Sequence, residues 1–165
     1  MTTRSTIIGT GRYIGETEFT TAAVLKNFGI DPANPKEEWV KKELVKTHRI
    51  RMKAMDPETS TSTLFVQAGK NALLKAGLRA DQMDLLICVT DTPDFICPAT
   101  SARVQHGLGA TKAGFFDLNS SCAGFTIALN MADCFLRGTD EANYVMIIGG
   151  NHYSRFISPM ICLET

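Results

Sequence analysis

The chain has 165 residues, with 17 Lys and Arg against 17 Asp and Glu scattered along it, so it carries no basic block for a polyanion and nucleic acid is not an expected partner. Its length suits one domain or part of a larger one. The first sixteen residues lack the apolar core of a signal peptide, and no apolar run is long enough to cross a bilayer, so a cytoplasmic location away from membranes is expected.

The segment STIIGTGRYI, from Ser5 to Ile14, opens with a short apolar run closed by Gly9 and Gly11 and predicts a first strand and turn. As a phosphate loop it fails. Gly9, Gly11 and Gly15 are spaced one residue too wide for the dinucleotide fingerprint, and no helical pattern follows at once. A short amphipathic segment near Thr20 to Phe28 and a Pro-rich turn lead to a charged helix around Lys36 to Val45, which carries the only tryptophan, Trp39. From Ser62 to Ala76, the residues Leu64, Phe65, Ala68, Ala72, Leu73 and Ala76 recur near helical spacing, with Gly77 as the expected C-terminal cap.

The runs from Asp84 to Thr90, Gly114 to Asn119 and Asn143 to Gly150 are apolar without alternation, the mark of strands covered on both faces in a parallel sheet. Between them lie a helix opening at Pro98 and a strongly apolar helix from Cys122 to Arg137, stopped by Gly138. Strand and helix in alternation predict an α/β layered fold, a largely parallel sheet flanked by helices.

Five cysteines in an odd set, without the C-x-x-C spacing of a metal site, fit reduced thiols; no metal is expected. The sequon at Asn119 falls in a turn expected to be buried and is read as unused. Cys88, inside a strand, and Cys134, inside a helix, are expected to pack as small hydrophobes. Cys122 differs. It falls where a strand gives way to a helix apolar around most of its circumference, which predicts a central, buried helix, with Ser120 or Ser121 as its cap. A helix start offers a thiol partial positive charge and free backbone N–H groups that can donate to an oxyanion beside the sulfur. Ala123 and Gly124 keep the turn narrow enough for an acyl chain to approach. On position alone, nucleophile and packing residue both stay open for Cys122.

The stretch DLNSSCAGFTIALNMAD resembles the nucleophile segment of the β-ketoacyl-ACP synthase III group of thiolase-fold condensing enzymes. The likeness extends through CPATSARVQHGLGATKAGFFDLN, the opening IIGTGRYIGE and the later YVMIIGGNHYSR, nearly the whole chain. It implies a thiolase-like layered fold, residues 1–165 forming an N-terminal half-domain with the C-terminal half absent. It also implies that Cys122 accepts an acyl group from acyl-CoA or acyl carrier protein, followed by decarboxylative condensation in fatty acid or polyketide initiation, with no tightly bound cofactor. Trp39, in EEWV, resembles the tryptophan that stacks on the CoA adenine. In KTHRIRMKAMD, Thr47 stands where the family's CoA-contacting arginine is expected, and Lys46, Arg49 or Arg51 is the substitute, Arg51 being the one assigned. Cys97 holds the place where the family sets a bulky residue that crosses a dimer interface to floor the neighbour's acyl pocket, so a primer larger than acetyl is expected.

The family's cysteine works with a histidine and an asparagine from the second half of a duplicated fold, and no matching motif is present in this chain. The expected consequence is an open strand edge and an open face on the central helix, covered by a homodimer or a companion chain carrying the other half. Two alternatives stand beside condensation. One is acyl transfer or thioester hydrolysis with His152 as base in a dyad with Cys122; His106 is expected to face solvent or cap a helix. The other is a non-catalytic fragment or interaction subunit.

Overall fold

The computed structural model describes residues 5–14, 17–19, 52–54 and 59–153. The chain divides into two compact units: Met1–Tyr13 with Thr59–His152, and Ile14–Glu58 with Tyr153–Thr165. In the second unit, β1 (Thr17–Phe19) and β2 (Met52–Ala54) pair antiparallel, Glu18 opposite Lys53. The amphipathic segment near Thr20 to Phe28, the helix expected around Lys36 to Val45 and the last twelve residues lie outside the described residues.

The first unit is a three-layer α/β arrangement. Its elements in chain order are α1 (Thr61–Ala76), β3 (Leu85–Val89), α2 (Thr100–Leu108), β4 (Gly114–Leu118), α3 (Gly124–Gly138) and β5 (Val145–Gly149). The three strands form a parallel sheet in the order β4-β3-β5, Ile87 of β3 lying opposite both Phe116 and Ile147. β3, the middle strand, is buried at all five positions, which is why its sequence is apolar without alternation. The flanking strands are only partly covered.

Strand alternation sorts the core into two clusters. Leu86 and Cys88 of β3 join Met146 and Ile148 of β5 against Phe65 and Leu73 of α1 and Val104 of α2. Leu85, Ile87 and Val89 face the opposite way, onto Ala128 and Ala132 of α3. Among the described residues, no helix is long and apolar enough to cross a membrane.

Three expectations need correction. Residues 5–14 include no strand; Ile7 and Ile8 are exposed, and Gly9 and Gly11 instead lie against α1, so close that a Cβ on Gly9 would come within 2.7 Å of the Ala76 Cβ. α2 begins at Thr100, two residues after Pro98, which is joined to Cys97 by a cis peptide. α3 is not buried around its circumference. Only Gly124, Ala128 and Ala132 are, because these small side chains let the helix approach the sheet, while Phe125, Leu129, Met131 and Phe135 project from faces that the described residues leave open. The expected Gly77 cap closes α1 in the left-handed conformation (φ 67°), and at the helix start Ser60 accepts from the Thr63 N–H.

Candidate active site

In parallel sheets the C-terminal strand ends gather the loops that bind ligands. Here those ends are zipped one step beyond the ladder. The Thr90 N–H donates to the Leu118 carbonyl (3.2 Å) and the Gly150 N–H to the Val89 carbonyl (3.1 Å), so the exits of β4, β3 and β5 lie side by side.

Cys122 occupies the exit of β4. The chain leaves Leu118, makes a single tight turn over Ser121–Ala123, and enters α3 at Gly124. The helix therefore starts two residues later than its sequence pattern predicts, and neither Ser120 nor Ala123 supplies a side-chain cap. Backbone bonds hold the turn instead: Ala123 N–H donates to the Ser120 carbonyl at 3.1 Å, and Gly124 N–H to the Ser121 carbonyl. Ser121 sits at φ 45°, left-handed backbone that a non-glycine residue adopts only under constraint, at a cost of about 1–2 kcal/mol. Such strain gathers at sites where a side chain must be aimed.

The next constraint is Gly124. A Cβ there would meet the Val89 Cγ1 at 2.5 Å, so a hydrogen at this position lets the elbow sit directly on the middle strand. Gly149 plays the matching part on β5, where a Cβ would meet the Phe125 ring at 3.1 Å. The result is a thiol at the start of a fifteen-residue helix with Cys122 exposed rather than packed. Asn119 of the sequon is exposed as well, contrary to expectation.

Two carboxylates that the sequence did not single out fix the neighbouring helices. Asp117 of β4 accepts from the Thr100 and Ser101 N–H groups, both at 2.7 Å and both on fully buried residues. It is the cap that α2 lacks locally, since Ala99 has no side-chain acceptor. Asp94, with its side chain 2% exposed, accepts from the Ser62 N–H at 3.3 Å and pairs with Arg103 at 3.6 Å. The signals were there: an Asp inside an apolar strand, and a helix beginning without a capping residue.

These bonds anchor the base of the loop from Asp91 to Ala99. Its tip presents Phe95, Ile96 and Cys97 to solvent, Ile96 completely, with the Arg103 guanidinium 5.4 Å from the centre of the Phe95 ring. Asn151 joins the exits of β3 and β5, its Oδ1 accepting from the Asp91 N–H (2.8 Å) and the Thr90 hydroxyl (3.2 Å).

The other sequence-selected residues fall unevenly. Cys88 is buried, and burial first and the Asp117 charge second push its thiol well above the ordinary value. Cys134 is not packed as expected but exposed, its thiol donating to the Asn130 side-chain oxygen at 3.7 Å. His106 is exposed, as expected. His152 is 2% exposed, its backbone N–H donating to the Thr92 hydroxyl at 2.9 Å. It follows β5 whereas Cys122 follows β4. With β3 between them, their strands stand two spacings apart, about 10 Å. The imidazole is buried and the Cys122 thiol exposed. Trp39 and Arg51, assigned to CoA, lie outside the described residues, so the structure does not bring them to the elbow or away from it.

The family profile for 3-oxoacyl-[acyl-carrier-protein (ACP)] synthase III matches residues 116–160, the segment from β4 through the elbow, α3 and β5. The β-ketoacyl-[acyl-carrier-protein] synthase III of Bradyrhizobium diazoefficiens is 37% identical over 155 residues, 93% of this chain and 44% of that protein. Among solved structures, 3-oxoacyl-[acyl-carrier-protein] synthase III from Aquifex aeolicus aligns with a TM-score of 0.72 at 31% identity, covering 90% of this chain and 45% of that one. The priming β-ketosynthase of the R1128 polyketide biosynthetic pathway aligns with a TM-score of 0.76 at 28% identity, covering 90% and 42%. The chain therefore spans somewhat less than half the length of the relatives it matches.

Proposed function

Starting from the premise that this is a β-ketoacyl-ACP synthase III-like chain of thiolase-type fold, we propose that Cys122 is the acyl-accepting nucleophile of a decarboxylating condensing enzyme. The observation that carries this reading is the exposed thiol at the start of α3, on an elbow narrowed by Gly124 and held in left-handed backbone at Ser121.

The chemistry runs in two stages. The Cys122 sulfur attacks the carbonyl carbon of an acyl-CoA or acyl carrier protein thioester. The carbonyl electrons move onto oxygen, and backbone N–H groups at the helix start, that of Cys122 among them, stabilise the oxyanion. When the oxyanion collapses, the carrier thiolate leaves and the acyl group stays on sulfur. In the second stage a malonyl thioester loses carbon dioxide. Its enolate carbon attacks the acyl carbon, a carbon–carbon bond forms, and the Cys122 sulfur departs. That stage requires donors facing the developing enolate, the part taken in this group by a histidine and an asparagine of the second half. A companion polypeptide or a longer chain supplies them under this reading. Trp39 and Arg51 are proposed to contact the CoA adenine and phosphates, and Cys97 to leave room for a primer larger than acetyl.

The second reading, thioester hydrolysis, takes His152, buried just after β5, as its base. The experiment is intact-mass measurement of the chain after exposure to a series of acyl-CoAs. Acyl transfer predicts a persistent adduct of one acyl group, one CoA thiol released per chain, and neither with Cys122→Ala. Continuing release of free carboxylic acid would favour hydrolysis, and no adduct at all would favour a non-catalytic interaction subunit.

A further inference from the structure

We propose that the cleft between α1 and α2 binds a small organic monoanion, a carboxylate carried on a short apolar body. The cleft belongs to the helical layer opposite α3 and takes no part in the steps assigned to Cys122, so either can fail without the other.

Its shape comes from helical spacing. Thr63 and Val66 stand three apart on α1, and Arg103 and His106 three apart on α2 between Ala102 and Gly107, so each set shares a helix face. The helices meet where Gly107 faces Val66, a contact so close that a Cβ on Gly107 would come within 2.7 Å of the Val66 Cγ2. These residues, with Ser62, line a cleft of about 460 Å³, the room a small organic molecule needs.

The charge along the cleft is one-sided. Neither α1 nor α2 contains an Asp or Glu, and among the described residues no carboxylate lines the cleft. The helix start of α1 is not the attraction, because its Ser62 N–H donates to Asp94 at 3.3 Å and its Thr63 N–H to the Ser60 hydroxyl at 3.2 Å. Arg103 is. Its side chain is 44% exposed and spends only Nε on Asp94, at 3.6 Å, so among the described residues neither terminal NH₂ has a hydrogen-bond partner. That open fork matches the two oxygens of a carboxylate. The exposed His106 imidazole, one turn along, adds a further donor.

Asp94 decides the charge of the ligand. Its buried carboxylate lies against the same guanidinium. A monoanion gives Arg103 a second carboxylate, whereas a phosphate dianion doubles the Coulomb repulsion from Asp94. Val66, Ala102 and Gly107 add walls without a polar side chain, which suits a hydrocarbon body. Arg103 also carries the event outward. Its guanidinium stands 5.4 Å from the centre of the Phe95 ring, so a ligand that engages the fork changes the surroundings of that ring.

The test titrates the full chain with hexanoate, beside hexan-1-ol and inorganic phosphate, and is followed by NMR. Hexanoate is expected to shift the Val66, Ala102 and His106 signals saturably and to move the Phe95 ring signals with the same midpoint. Hexanol lacks the charge and phosphate the hydrocarbon body; each should bind about tenfold more weakly, the weight of one hydrogen bond to a charged group. Arg103→Lys keeps a cation beside Asp94 but loses the fork, and should weaken hexanoate by a similar factor. His106→Gln, at an exposed position, leaves the fold intact and should weaken it about two- to fivefold. Equal binding of hexanol would overturn the proposal by reducing the cleft to an apolar surface, and equal binding of phosphate by reducing it to a general anion site. So would the absence of saturable shifts on α1 and α2, shifts confined to the exposed apolar residues of α3, or Phe95 signals that stay still while the cleft saturates.

Discussion

Asp117→Asn tests the positioning of the helices around the elbow. The carboxylate accepts two N–H groups at 2.7 Å from residues with no solvent exposure, so no water replaces a lost bond. The asparagine keeps one acceptor oxygen and turns its NH₂ toward the other N–H. One buried donor is then orphaned, at about 1–3 kcal/mol, and the charge that faced the N-terminus of α2 is lost, at about 0.3–1 kcal/mol. The sum is about 1.3–4 kcal/mol, or a fall of about 3–16 °C in Tm for a chain of this size. Thermal and urea unfolding followed by circular dichroism measure it. Asp81→Asn is the control, because that carboxylate pairs with Arg79 in open solvent and its loss should leave the midpoint unmoved. An Asp117→Asn midpoint equal to that of the parent chain would refute the claim that Asp117 caps α2.

Gly124→Ala forces a methyl against Val89 Cγ1, a residue 8% exposed in the middle strand, so the elbow rather than the sheet must yield. The expected cost is about 1–3 kcal/mol of stability, with acylation of Cys122 slowed by about tenfold or more, read from unfolding curves and intact-mass kinetics. Cys88 gives a pH dependence. Its thiol is raised from an ordinary value of 9.0, so above that pH the unfolded chain releases a proton that the folded chain retains. Its contribution to stability is therefore complete below pH 9 and declines above it by about 1.4 kcal/mol per pH unit. Denaturation curves at pH 8 and pH 10 should show that decline, and Cys88→Ala should reduce it.

Those elements whose sequence pattern and environment agree were legible in the sequence. β3 is an unbroken apolar run because helices cover both its faces, and α1 has Ser60 before it and Gly77 after it, so both ends were marked locally. The position of Cys122 between a strand and a helix was legible in the apolar runs on either side of it, and the structure sets the thiol, exposed, in the turn between β4 and α3. What the sequence did not disclose depends on partners distant along the chain. The segment at Ile7 and Ile8 has strand composition, yet a strand exists only through its neighbour, and α1 is what this segment meets. The start of α2 was misplaced at Pro98 because its cap comes from Asp117, seventeen residues downstream of Thr100. α3 looked central because its composition is apolar on all sides, and composition alone cannot distinguish a face packed on the sheet from one left open.

The most direct measurement is site-resolved acylation. Cys97, Cys122 and Cys134 are all exposed, so two thiols of the same chain serve as internal references for the third. After brief exposure to acyl-CoA, proteolysis and peptide mass analysis give the rate at each cysteine. The account predicts label on Cys122 at a rate far above that of Cys97 and Cys134, with Cys88 unlabelled until the chain is unfolded. Cys122 reacting no faster than Cys134 would contradict it, because an exposed thiol at this elbow would then be no different from one on an ordinary helix surface.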